Sequence, residues 1–224
     1  MKLYMHPIST GARAVRLLIA ESGIPCEEVL VDMTTGAHMQ EPYASLNPNR
    51  LLPMLEDGDF RLTESSAILK YLADKYDLAC YPKDLKQRAH VNEVMDWFNT
   101  QFYRDYGYGL VYSQILPQHR RRSDEAHAAA IEWGQTGAKK WLALLDEHWI
   151  GPDKQYLCGN EPTIADYFGS AVVSVGEGIG CDFASYPNTR RWLGNMKKLK
   201  SWGAVNQAFD GFVASTKGNE YVRV

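Results

Sequence analysis

The stretch Asn47–Tyr76, NPNRLLPMLEDGDFRLTESSAILKYLADKY, decides how the rest of the chain is read. It reads as loop, strand, tight turn, strand, helix. Met54-Leu55-Glu56 is a short strand, and Asp57-Gly58 supplies turn residues that tolerate positive φ. Phe60-Arg61-Leu62-Thr63 returns as a second strand. A helix begins near Ser65, with Ile68, Leu69, Tyr71 and Leu72 at helical spacing. Pro53 stands at the head of a strand, where it has no N–H to give the ladder. Glu64, Ser65 and Ser66 stand at a helix N-terminus, where free N–H groups and the positive dipole end attract carboxylates. A strand head and a helix head joined by a hairpin make a seat for a small peptide with an anionic end.

Upstream of this unit, Lys2–Met5 reads as a first strand and His6–Gly11 as a loop rich in breakers. A helix runs over Ala12–Ala20 and is ended by Gly23 and Pro25; Glu28–Val31 is a second strand. The two strands and their helix form a βαβ unit, whose crossover is right-handed by the general rule. Residues 34–47 are polar, with one short helix over Met39–Ser45. The element order is therefore βαβαββα, that of a thioredoxin-like domain. Residues 77–86 lose all periodicity and read as a linker. Beyond them the strand signals stop. Helical patterns follow over Leu85–Leu116, Ser123–Trp149, Thr163–Val175, Pro187–Leu199 and Trp202–Ala214, which implies an all-α bundle. In the second of these, Ala126, Ala130, Trp133, Trp141, Leu144 and Leu145 are available for a core. The expected division is 1–78 for the α/β domain and 87–224 for the helical one.

Composition narrows the function. The chain has 224 residues, 45% hydrophobic and 23% charged, with a net charge of −3 and a pI of about 6.1. That suits one or two ordinary domains and argues against a nucleic-acid partner, since Arg120–Arg122 is the only basic run and reads as a solvated turn. No apolar run approaches the length of a membrane span, and MKLYMHPIS carries no apolar core of a signal peptide, so the expected location is the cytoplasm. Cys26, Cys80, Cys158 and Cys181 lack metal-binding spacing and read as free thiols, and the six histidines are scattered; no metal site is expected.

The segment around Pro53 resembles the glutathione-binding half of cytosolic glutathione transferases, and the resemblance extends through most of the chain. It rests on Leu52-Pro53, on Glu64-Ser65, on the serine–arginine spacing of S-T-G-A-R-A-V (Ser9 to Arg13), which is similar to the theta and delta classes, and on Thr163-Ile164-Ala165-Asp166. The resemblance implies a cis Leu52–Pro53 bond, which turns the Leu52 backbone towards the cysteine of glutathione. It implies that Glu64 and Ser65 take the γ-glutamyl end, and that Arg50 and His38 lie at the glycine carboxylate. Ser9 is the implied donor to the glutathione sulfur, with Thr10 the runner-up; a thiol becomes a good nucleophile only as thiolate, which such a donor favours. Read without the resemblance, Ser9 is a helix cap. Tyr106, Tyr108 and Phe209 are the expected lining of an electrophile pocket, with Phe212 beside Phe209; Phe98 and Phe102 read as core. Tyr106 and Tyr108 are preferred because Gly107 and Gly109 weaken the helix there. Thr163–Asp166 reads as a structural capping box.

The implied activity is conjugation of glutathione, a co-substrate with no further cofactor, to a small hydrophobic electrophile. Dehalogenation or peroxide reduction at the same site is the second reading, and a non-catalytic binding module of this fold the third. The resemblance also implies a homodimer.

Overall fold

The computed structural model describes all residues, 1–224. Strand β1 (Lys2–Met5) is followed by helix α1 (Thr10–Ser22), strand β2 (Glu27–Leu30), a short helix α2 (Tyr43–Leu46), strands β3 (Met54–Asp57) and β4 (Phe60–Leu62), and helix α3 (Ser65–Lys75). The sheet order is β2-β1-β3-β4. β1 runs parallel to β2, with Tyr4 opposite Val29, and antiparallel to β3, with Tyr4 opposite Met54. β3 and β4 form the expected hairpin, with Gly58 at φ +66°. This is the thioredoxin-like arrangement read from the sequence. Leu3, Leu17, Leu18, Leu55, Ile68 and Leu72 are buried between sheet and helices.

Helices alone follow. α4 (Leu85–Trp97) starts on an Asp84 cap that accepts from the N–H groups of Lys86 and Gln87. The chain then widens into a π-helical stretch, Phe98–Val111, before a last α turn, α5 (Tyr112–Ile115). The single long α-helix expected over 85–116 is thus continuous in direction but not in winding. α6 (Asp124–Leu144) crosses this stretch and buries Gly134, Ala138 and Leu142, with Leu145 just beyond. Trp133, expected in the core, lies 58% exposed instead, with the Arg104 guanidinium 5.7 Å from its ring centroid. The four-residue repeat that faces the core falls one position after it. α7 (Ile164–Ser174), α8 (Pro187–Met196) and α9 (Trp202–Thr216) complete the bundle. Every residue of α7 is buried. No helix is long and apolar enough to cross a membrane.

Asp166 shows why the T-I-A-D stretch matters to the fold. Its side chain is fully buried and accepts from the Thr163 N–H (2.7 Å) and hydroxyl (2.9 Å), which is the expected capping box. It also accepts from the Leu157 N–H and the Trp192 indole N–H, both at 2.8 Å. One carboxylate therefore starts α7, holds the preceding loop and anchors α8. Burial outweighs these donors and raises its pKa above the ordinary carboxylate value. Removing it strands several buried donors, each costing about 1–3 kcal/mol. Asp166→Ala is expected to destabilise the fold by about 3 kcal/mol or more, measured by urea denaturation, with loss of the α7–α8 contacts. A loss below about 1 kcal/mol would reduce Asp166 to an ordinary cap.

Candidate functional site

Three chain segments meet at one point. α1 begins after Ser9, β3 begins after Pro53, and α3 begins at Ser65. Gly11 measures how closely they meet: a Cβ there would lie 3.1 Å from both Pro53 Cδ and Ser65 Oγ. The Leu52–Pro53 bond is cis, as is Glu41–Pro42, which nothing in the sequence announced. A cavity of about 510 Å³ opens over this junction. Its walls include Ser9, His38, Arg50, Leu52, Pro53, Glu64 and Ser65 from the first part of the chain, and Tyr108 and Phe209 from the helical part.

Ser9 fills the capping role read for it and lines the cavity. Its Oγ accepts from the Ala12 N–H at 3.5 Å as the cap of α1, and its hydroxyl donates to the Leu52 carbonyl at 3.4 Å. Both bonds are long, so the hydroxyl exchanges partners at little cost. Thr10 is differently engaged, at 2.6 Å from the Tyr112 hydroxyl. Glu64 holds φ +63°, ψ 112°, and Arg50 holds φ +54°. Non-glycine residues at such angles cost about 1–3 kcal/mol and persist where surrounding structure enforces them. Arg50 is exposed at the rim and forms no ion pair. His38 lines the same cavity with its Nδ1 buried and unpartnered. The cavity thus carries two helix N-termini, α1 and α3, and a cation facing outward. That is the electrostatics of an anion-accepting seat.

Tyr106 lies elsewhere. It is fully buried in the core, and its hydroxyl donates to the Val173 carbonyl at 2.8 Å. A Cβ on Gly176 would fall 1.8 Å from that hydroxyl, so Gly176 exists to admit it. Glycine beside the helix marks tight packing here, not an opening: Gly109 likewise abuts the backbone of Gly134. Tyr103 and Tyr112 stand in the wall in place of Tyr106, with Ile115, His119 and Phe212. Tyr108 is 46% exposed at the mouth. None of the four cysteines lines the cavity, and burial pushes the Cys26, Cys80 and Cys158 thiols up to about 11. No group of three or more His, Cys, Asp or Glu side chains is placed to hold a metal ion. A second cavity, about 650 Å³ and lined by His90, Glu93, Trp149 and Lys154, gathers none of these residues.

The sequence offered Arg13 only as part of a spacing. In the fold it is buried, and its guanidinium reaches from α1 to Ser174 Oγ (3.1 Å), the Ala171 carbonyl (2.9 Å) and Asn206 Oδ1 (2.8 Å). It also stacks on Phe209, 3.8 Å from the ring centroid. No carboxylate pairs with it, and burial pulls its pKa down to about 10.

Residues 1–74 match the family described as glutathione S-transferase, N-terminal domain, and residues 112–200 match glutathione S-transferase, C-terminal domain. Human glutathione S-transferase theta-1 is 31% identical over 195 residues, 86% of this chain and 80% of that protein. The chain belongs to the glutathione S-transferase family. Human theta-2B is also 31% identical, over 200 residues, covering 88% of this chain and 80% of its own length. Among solved structures, human glutathione transferase theta-2 in complex with glutathione superposes with a TM-score of 0.84 at 29% identity, over 96% of this chain and 88% of that one. This transferase is therefore an enzyme similar to theta-class members along nearly its whole length.

Arg13 joins the helix that Ser9 caps to two helices of the second part of this transferase. Arg13→Leu leaves three acceptors without their donor. It is expected to destabilise the fold by about 3 kcal/mol or more in thermal or urea unfolding. A variant as stable as the parent would show that packing alone joins the two parts.

Proposed function

We propose that this transferase binds glutathione over the α1–β3–α3 junction, favours its thiolate through Ser9, and conjugates the sulfur to small apolar electrophiles. The convergence of two helix N-termini and the head of β3 on one cavity carries this reading. In it, Leu52 offers its backbone to the cysteine of glutathione. Glu64 takes the γ-glutamyl ammonium and Ser65 its carboxylate, while Arg50 and His38 face the glycine carboxylate. Phe168, Val175, Phe209 and Phe212 give the electrophile an apolar wall. The same reading divides the chain into functional parts 1–78 and 87–224 and includes a twofold dimer; a monomer in sedimentation at micromolar concentration would remove the dimer.

Ser9 donates to sulfur as glutathione takes over the Leu52 backbone that the Ser9 hydroxyl engages. Thr10 is held by Tyr112 and is the poorer donor. Ser9→Ala is expected to raise the pKa of bound glutathione and to lower turnover near neutral pH by about 10²-fold or less, the low end for loss of one preorganised donor. Binding should weaken little, because the other contacts hold the tripeptide. Thr10→Ala is expected to be mild in both respects. Titration of bound thiolate absorbance in the two variants decides between them: an intact thiolate in Ser9→Ala with loss in Thr10→Ala would reverse the assignment. Retention on immobilised glutathione tests the reading as a whole.

A further inference from the structure

The loop that delivers Ser9 is a β-turn whose first residue can change charge. The Ser9 N–H donates to the His6 carbonyl at 2.9 Å, with Pro7 and Ile8 as the central residues. Proline favours the second position of such turns. Aspartate, asparagine and serine favour the first, because a short side chain there accepts from the N–H two residues on. Here the His6 ring takes that part: its Nδ1 accepts from the Ile8 N–H at 3.4 Å. The ring is buried, and its other nitrogen, Nε2, lies 3.6 Å from Asp32 Oδ1.

Asp32 belongs to the facing loop. Its Oδ1 accepts from the Thr34 N–H (2.8 Å) and hydroxyl (2.6 Å), and its carbonyl accepts from the Ala37 N–H (3.0 Å). That turn leads to His38. Ile8 and Ser9 line the cavity from one loop, Met33 and His38 from the other. His6 stands at the root of both loops and touches each through a different ring nitrogen.

The two contacts fix the tautomer. A neutral imidazole has one donor and one acceptor nitrogen. Nδ1 accepts, so Nε2 carries the hydrogen and points it at Asp32. Burial is the largest influence on the charge of the ring and holds its pKa below the ordinary histidine value. Asp32 opposes that effect, and His38, from the 3-10 turn Ala37–Met39, adds to it. The ring is therefore neutral near neutral pH and gains a proton only in acid. That proton goes to Nδ1, which then meets the Ile8 N–H donor to donor. The new charge also strengthens the pull of Asp32 at Nε2.

We propose that neutral His6 is a positioning residue for Ser9, and that a proton on its Nδ1 releases the turn and withdraws Ser9 from the glutathione sulfur. The inference rests on the reading of Ser9 as donor to the thiolate. It adds a second loss on the acid side. As pH falls, the thiol regains its own proton, and the loop gives up the geometry that favours the thiolate. Asparagine is the informative replacement, since its Oδ1 stands where Nδ1 does and does not titrate.

Two measurements test this. In the protein without ligand, the Ile8 amide resonance is expected to titrate together with the His6 ring, and to stay flat over the same pH range in His6→Asn. An Ile8 amide indifferent to the titration of the ring would overturn the proposal whatever the activity. In the glutathione complex, the absorbance of bound thiolate is expected to fall with pH more steeply than one proton allows in the parent, and as a one-proton curve in His6→Asn. His6→Phe keeps a ring without the acceptor. Its thiolate-to-thiol ratio near neutral pH is expected to be about fivefold lower than that of His6→Asn, the effect of about one hydrogen bond. Thermal unfolding reports whether each variant folds; if His6→Phe does not, the Ile8 amide and the steepness in the parent and His6→Asn still decide. Parallel titrations in the parent and both variants would mean that the ring only fills space under the turn, and would overturn the proposal while the transferase reading stands. A bound thiol unaffected by Ser9→Ala would remove the reading of Ser9 and this proposal with it.

Discussion

A buried guanidinium without a counter-ion is the constraint on which the arrangement of this protein depends. Arg13 leaves α1 one turn after Ser9 and ends among the backbone of α7, the side chain of Asn206 and the ring of Phe209. A charge so placed must be matched by dipoles held in fixed positions, because desolvating an ion costs several kcal/mol. The matching groups are supplied entirely by helices distant in sequence. Asn206 is itself oriented by a bond from its side-chain N–H to the Trp202 carbonyl. Nearby, Arg16 reaches the Val205 carbonyl at 3.0 Å, and Glu21 accepts from the Ser201 N–H at 2.5 Å. α1 is thereby tied along one side to the second part of the chain. Its N-terminal end, which Ser9 caps, is fixed with it. The distance between the two walls of the cavity is set in this way by polar contacts as well as by apolar packing.

The other wall depends on a departure from α geometry. Phe98, Phe102 and Tyr106 fill the core, and Tyr103, Tyr108 and Tyr112 gather with His119 at the cavity, with ring centroids 5.0 to 5.9 Å apart. A wide helix sorts these aromatics in a way that 3.6-residue periodicity does not. Asp105, on the same stretch, is buried and held by Arg104 and by the Trp141 indole at 2.6 Å, which locks the stretch against α6.

This sorting explains what the sequence disclosed and what it withheld. The sheet and its hairpin were legible because strand length, turn residues and the proline at a strand head are local signals. Pro53, Glu64 and Ser65 could be brought together because a hairpin joins the strand head to the helix head, whereas Ser9 joined them only through the family resemblance. Tyr106 was misread because a glycine next to it looks like a weak point in a helix, when it is a surface that another group packs into. Tyr103 and Tyr112 were overlooked as a pair because α periodicity separates them. Arg13 was visible as a residue, but its partners lie some 160 to 190 positions away. The burial of Asp166 under Trp192 was hidden for the same reason, although its capping role was plain.

The two walls differ in what holds them. The glutathione side is built from backbone ends, capping groups and two residues at positive φ, a framework in which few side chains are free to vary. The opposite wall is made of side chains from several helical segments, among them the π-helical stretch, α5 and the turn that follows it. Random substitution confined to Tyr108, Ile115, Leu116, Gln118 and His119 therefore samples new cavity shapes without entering either the Arg13 contacts or the strained backbone. The fold presents one rigid surface and one that can be rewritten. A combinatorial library built on it would search acceptor chemistry at nearly constant stability.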